Sequence, residues 1–229
     1  QITFTKEINA EWVRLVLRVG LPILSLGLMN GFCFLVQQRL VNMLGITVAT
    51  AFSIGFVTMH IADSALFGLT TSTSIMVGQS LGAENRRRAR EVALKSALLI
   101  FIVIATAAAA IYPFRRIMVD VFADDPGIIF EAEQYLQILL PSLPFFGLFI
   151  NAMSIGRGSG HTTFPTIIDI ARNWGVSVAM GYLLAFSFGM GSLGVWLAHS
   201  LSSVMCGTIS FLWIKYGKWT EAIIKKNLI

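Results

Sequence analysis

Apolar residues run almost unbroken from Thr47 to Ser80, and the chain then changes abruptly to Gly82-Ala83-Glu84-Asn85-Arg86-Arg87-Arg88-Ala89-Arg90. A run this long exceeds the roughly 20 residues that a bilayer asks of a helix. Comparable stretches recur along the whole chain. They predict spanning helices over about 13–42, 47–81, 87–112, 128–156, 164–187 and 192–215. Each covers a hydrocarbon core of about 30 Å at 1.5 Å per residue, and the second is long enough to tilt or protrude.

Two further segments carry amphipathic rather than uniform apolarity. Phe114, Ile117, Met118, Val121 and Phe122 repeat at helical spacing with Arg115, Arg116 and Asp120 between them, opened by Pro113 and closed by Asp124-Asp125-Pro126. That pattern predicts an interfacial helix between helices 3 and 4. Near the start, Ile8, Trp12, Leu15 and Val16 oppose Glu7, Glu11, Arg14 and Arg18, which predicts a lead-in along the membrane surface before Pro22.

Charge then orients the helices. Lys6, Arg14 and Arg18 precede helix 1, the arginine cluster follows helix 2, Arg157 and His161 follow helix 4, and Lys215, Lys218, Lys225 and Lys226 follow helix 6. The other face carries Asp120, Asp124, Asp125, Glu131 and Glu133 against Arg115 and Arg116. Basic loops are retained in the cytoplasm, so both termini are expected there. The fold expected is an all-α integral membrane bundle of six helices, one unit over residues 1–229, in the plasma membrane.

Composition agrees: 55% of residues are apolar, 13% are charged, and mean hydropathy is +0.75. Soluble domains carry roughly a quarter charged residues. The net charge of +5 sits at membrane boundaries with no aromatic-rich soluble module, which argues against a nucleic-acid partner and for lipid. Cys33 and Cys206 lie in apolar runs and are expected as buried packing residues. His60, His161 and His199 form no metal-spaced motif, and no Ser/His/Asp set or paired carboxylates suggest an enzyme. The first residues lack the basic region and cleavage site of a signal peptide.

Ionisable groups at membrane depth are costly and therefore informative. Asp63 falls near the centre of helix 2, one turn after His60, where the two side chains can meet and hold a proton or a cation. The alternative is a hydrogen-bonded pair that joins helices. Asp169 stands three residues before Arg172, beside Asn173, as a self-neutralising pair on a wet cavity or a packing pair. Arg39 is expected to snorkel from the end of helix 1. Pro141 and Pro144 free the carbonyls of Gln137 and Leu140 and predict a kink in helix 4, at a depth where freed carbonyls need protein or water. The hydroxyl run Thr70–Ser74 is expected to bond back to the preceding turn or to a neighbour. Gly27 and Gly31 have the spacing that admits close helix approach. Gly156-Arg157-Gly158-Ser159-Gly160 follows a membrane helix rather than a strand and reads as a tight turn.

Three stretches together resemble the multidrug and toxic compound extrusion (MATE) family. They are Val77-Gly78-Gln79-Ser80-Leu81-Gly82-Ala83-Glu84-Asn85 followed by Arg88-Ala89-Arg90, then Gly156-Arg157-Gly158-Ser159-Gly160-His161-Thr162-Thr163-Phe164-Pro165, and then Gly194-Val195-Trp196-Leu197-Ala198. The resemblance covers one half of a twelve-helix architecture and looks more like the C-terminal half. It implies export of small cationic, amphipathic compounds in exchange for sodium or protons, without a cofactor, by rocking of two bundles. The partner would be the N-terminal six-helix half or a second copy. Sodium-type relatives tend to carry a membrane acid near the position of Asn30 and another around Phe145-Phe146, where this chain has none. Met29, Phe34, Phe145, Phe146 and Phe149 are candidate cavity walls for an organic cation. A non-transporting scaffold and a lipid-linked precursor flippase are the readings from other classes.

Overall fold

The computed structural model describes residues 10–221, and every regular element among them is helical. Helix α1 spans Ala10–Met43, α2 Ile46–Gly82 and α3 Arg86–Ile111. A 3₁₀ turn at Tyr112–Phe114 leads into the short α4, Arg115–Asp120. Helices α5 (Pro126–Leu139) and α6 (Leu143–Ser159) form one rod interrupted by the 3₁₀ turn Leu140–Ser142. Helix α7, Thr163–Ile170, continues as π-helix over Ala171–Met180 and again over Leu183–Ser187. Helix α8 spans Ser192–Tyr216. Among the described residues, four stretches are long and apolar enough to cross a membrane: Ile46–Gly82, Arg86–Asp120, Pro126–Ser159 and Ser192–Tyr216.

Local chemistry sets several of these boundaries. Asn85 caps α3 by accepting from the Arg88 N–H at 2.9 Å. Asp125 caps α5 by accepting from the N–H groups of Gly127 and Ile128, and Pro126 occupies the first turn, where no N–H is needed. Gly160 ends α6 at φ 81°, a left-handed cap that glycine adopts without penalty. The turn expected over Gly156–Gly160 is therefore shorter than its glycines suggest. Gly156 and Gly158 lie inside α6, and a Cβ on Gly158 would collide with the Ser74 backbone of α2.

α6 is the central rod, packed against α2, α3 and α8. Along α3, Ala89, Ala93, Ala97, Ile100, Ile104 and Ala108 form its buried stripe at helical spacing. Polar side chains join the helices: Ser96 to Asn151 (α3–α6), Ser154 to the Thr70 carbonyl (α2–α6), and Ser200 to the Ile138 carbonyl at 3.0 Å (α5–α8). Thr70, Ser72 and Thr73 also bond back to carbonyls of the preceding turn. At the proline pair, the Leu143 N–H takes the Leu140 carbonyl and the Ser142 hydroxyl takes that of Leu139 at 2.7 Å. Both interactions keep a broken ladder satisfied inside the protein.

The amphipathic stretch before α5 is helical, but its apolar side faces away from the bundle. Phe114, Ile117, Val121 and Phe122 are exposed, while Val119 is the residue buried against the core. Arg115 ties the segment down through Glu133 at 3.1 Å and the Tyr112 carbonyl at 3.0 Å. Helix α1 passes without a break through the position of Pro22, and of the lead-in read from the sequence Glu7 and Ile8 lie outside the described residues. So do Lys6, Lys225 and Lys226. The stretch expected as helix 5 is α-helical only to Ile170, beyond which each turn takes an extra residue.

Candidate functional site

A cavity of about 180 Å³ opens between α1, α2, α6, the first π stretch and α8. Its polar wall comes from Asn30 and Gln37 of α1, His60 and Asp63 of α2, Arg172 and Asn173 of the π stretch, and His199 of α8. Phe34, Phe56 and Phe146 supply aromatic faces. Six of the candidate site residues read from the sequence, Asn30, Phe34, His60, Asp63, Phe146 and Arg172, thus meet in one place, with Asn173 beside Arg172.

Beside this cavity lies a buried polar knot. Arg172 donates through Nε and Nη2 to Asp169 Oδ1 at 3.1 and 2.9 Å, and both side chains are nearly inaccessible. Asn30 donates its Nδ2 to the other carboxylate oxygen at 2.7 Å, while its own Oδ1 accepts from Asn173 at 2.9 Å. Asn173 also donates to Asp169 Oδ1 at 3.3 Å. The guanidinium carbon of Arg172 stands 5.6 Å from the Phe146 ring centroid and 5.5 Å from that of Phe149. Both distances are within cation–π range. Each charge in the knot has a partner, the condition under which a buried pair survives.

Asp63 differs. It is exposed to the cavity and has no hydrogen-bond or ion-pair partner among the described residues. His60 does not bind it: the imidazole packs edge-on against Phe56 with centroids 4.7 Å apart. The spacing that allows the two to meet places them on one wall without joining them. What the cavity offers a ligand is therefore one uncompensated carboxylate, aromatic faces, and amide groups that donate and accept.

Other candidates lie elsewhere. Phe145 turns to the far side of α6 and meets Phe101 edge-on at 5.6 Å, leaving the neighbouring Phe146 to face the cavity. Phe149 is buried beneath Arg172 and stays out of the lining. Pro141 lies in the 3₁₀ turn that interrupts the α5–α6 rod and Pro144 in the first turn of α6, and neither lines the cavity. Arg39 is exposed on α1, and a Cβ placed on Gly27 or Gly31 would meet nothing within 4 Å among the described residues. Cys33 and Cys206 are buried and free. Two lining residues had no obvious sequence signal. His199 is held by the Tyr135 hydroxyl at 2.8 Å, and Phe56 by the rings of Phe34 and His60. The usable signals were the spacing of Phe56 one turn before His60, and of His199 three residues after the buried Trp196.

The profile of the MatE family matches residues 22–183, which contain most of the cavity and the whole polar knot. The chain belongs to the MatE family. Among its MatE relatives, the probable multidrug resistance protein YoeA of Bacillus subtilis strain 168 is 25% identical over 217 residues, covering 91% of this chain and 46% of that protein. The multidrug and toxin extrusion protein 1 of Oryctolagus cuniculus is 23% identical over 205 residues, covering 90% and 36%. The fold agrees with solved MATE structures. One in a straight conformation gives a TM-score of 0.84 at 18% identity, over 93% of this chain and 49% of that one. The Vibrio cholerae transporter VcmN in a bent form gives 0.84 at 17%, over 94% and 48%. The chain spans about half the length of the relatives it matches, or less.

Proposed function

We propose that this chain is one six-helix bundle, the C-terminal half, of a plasma-membrane exporter that exchanges small cationic, amphipathic compounds for sodium or protons. In this reading α1 and the α7–π rod cross the membrane together with the four apolar rods named above, both termini are cytoplasmic, and α4 lies at the opposite interface. The observation that carries the proposal is Asp63. An unpartnered carboxylate in an aromatic-walled cavity attracts either an organic cation or the coupling ion, and one group cannot hold both at full charge. Competition at that carboxylate is the simplest route to exchange.

One bundle leaves the cavity open, and much of α1 is bare. Leu24, Leu28, Phe32 and Leu35 are exposed, and Gly27 and Gly31 offer a close-approach stripe with nothing within 4 Å of it among the described residues. That face supports a second bundle as partner, the N-terminal half in the leading reading. A second copy of the chain fits the same face and predicts export from this chain alone.

The test is ethidium efflux from loaded cells that lack their major pumps. The chain is expressed alone and with the N-terminal half of a relative such as YoeA. Efflux that needs the added half and disappears in Asp63→Asn is expected. Efflux indifferent to Asp63→Asn removes the carboxylate from the mechanism, and efflux from the chain alone establishes self-assembly.

A further inference from the structure

At the arginine-rich end of the bundle, a second hollow of about 410 Å³ lies outside the cavity described above. It is lined by Arg86, Arg87, Arg90, Glu91, Leu94 and Thr220. Its floor is built by the segment after α8, which folds back onto the start of α3. Arg90 donates to the Gly217 carbonyl at 2.8 Å. Trp219 is buried against the alanine stripe of α3 and donates to the Ile214 carbonyl at 3.0 Å. That fold-back carries Thr220 to the rim and keeps the hollow open between two elements.

The charge of the lining is one-sided. Three guanidinium groups face a single carboxylate, and among the described residues Glu91 pairs with Arg87, both side chains so exposed (51% and 91%) that the pair competes weakly with another anion. Arg90 spends one N–H on Gly217 and keeps the rest of its fork. Guanidinium forks match phosphate oxygens in pairs, which a lysine cannot do. The hollow also sits at the first turn of the 26-residue α3, whose amide dipoles point positive there.

The same helix face continues as apolar surface. Arg87, Glu91, Leu94, Leu98 and Ile102 follow one another at three- and four-residue spacing, and Leu98 and Ile102 are exposed. A ligand that suits both parts has a phosphate at one end and a hydrocarbon chain at the other. We infer that this hollow binds the headgroup of an anionic phospholipid, with an acyl chain laid along Leu94, Leu98 and Ile102. Basic pockets at helix ends on a membrane surface recognise acidic lipid in this way. The lipid would pin the segment after α8 to α3 through the same three arginines.

The assay is native mass spectrometry of the full 229-residue chain in detergent, titrated with dioleoylphosphatidylglycerol or dioleoylphosphatidylcholine. The double variant R86A/R87A should lower phosphatidylglycerol affinity about ten- to thirty-fold and leave phosphatidylcholine unchanged. R86K/R87K, which keeps the charge but gives up the paired donors, should fall between the parent and R86A/R87A, with a loss of about three- to ten-fold. R116A, in α4 beyond the far end of α3, should change nothing. Three results overturn the site: unaltered phosphatidylglycerol binding in R86A/R87A, an equal loss in R116A, or displacement of the lipid by equimolar inorganic phosphate. The readout needs no transport, so its failure leaves the proposed export untouched, and the reverse holds too.

Discussion

The amide of Asn30 and the carboxylate of Asp169, 139 positions apart, are joined by a hydrogen bond of 2.7 Å. That bond holds α1 to α7. This contact and the Asn173 amide beside it are polar ties between α1 and the α7–π rod and help fix where α1 sits.

Removing the cation from the knot should be severe. Arg172→Ala leaves Asp169 buried and charged with amide partners only, at a cost of about 3–5 kcal/mol. The double variant D169N/R172Q removes both charges and should recover most of that loss. Thermal unfolding in detergent of the two single variants and the double gives the coupling directly. Additive losses would show that the pair does not act as a unit.

Asn30→Leu should cost less, about 1–3 kcal/mol, because Asp169 keeps Arg172 and loses one amide donor, while Asn173 loses the closer of its two acceptors. The expected signature is local: faster hydrogen exchange in α1 with α3 and α6 unchanged.

Asp63→Asn should separate folding from transport. The side chain is exposed and has no described partner, so stability should stay within about 0.5 kcal/mol of the parent. Coupled efflux in the assembled transporter should be lost. A large drop in melting temperature would place Asp63 in a structural role instead.

Tyr135→Phe leaves the buried His199 Nδ1 without its hydroxyl and should destabilise the chain by about 1–3 kcal/mol. H199F made in the Tyr135→Phe background should restore part of that loss, since apolar groups then replace both partners. Urea titration of the three variants tests the ordering.

Gly207→Ala should be among the worst small changes. The added Cβ would meet the Phe145 backbone carbonyl carbon at 2.6 Å, so α8 and α6 must separate. About 1–3 kcal/mol is expected from the overpacking. The same change at Gly68, which has nothing within 4 Å, should be harmless or slightly stabilising. Melting temperatures of the pair decide it.

The rods were legible because apolar runs and caps are local. Asp125-Pro126 and Asn85 have the local chemistry of helix starts, although Asp124-Asp125-Pro126 reads in the sequence as the end of the amphipathic stretch. The Asp169–Arg172 pair was legible for the same reason, being one turn apart. Its link to Asn30 was not, because nothing in a sequence reports which helices become neighbours. Gly156 and Gly158 mislead in the opposite way: glycine permits a turn, yet here it permits close contact, of Gly158 with Ser74 and of Gly156 with His161 and Pro165. The α4 stretch shows that amphipathic spacing fixes a periodicity without saying whether the apolar side meets protein or lipid. His60 and Asp63 share a wall as their spacing allows, but Phe56 claims the imidazole.

The widened winding after Ile170 alters how substitutions there should be interpreted. From Ala171 to Met180 neighbours along one face stand five residues apart rather than three or four. Arg172, in the cavity wall, and Ser177, bonded to Ser202 of α8, are such a pair. A residue-by-residue scan through this stretch should show sensitivity recurring at that longer interval. An alignment that assumes ordinary helical stripes will slip by one position per turn and assign lipid-facing residues to the cavity.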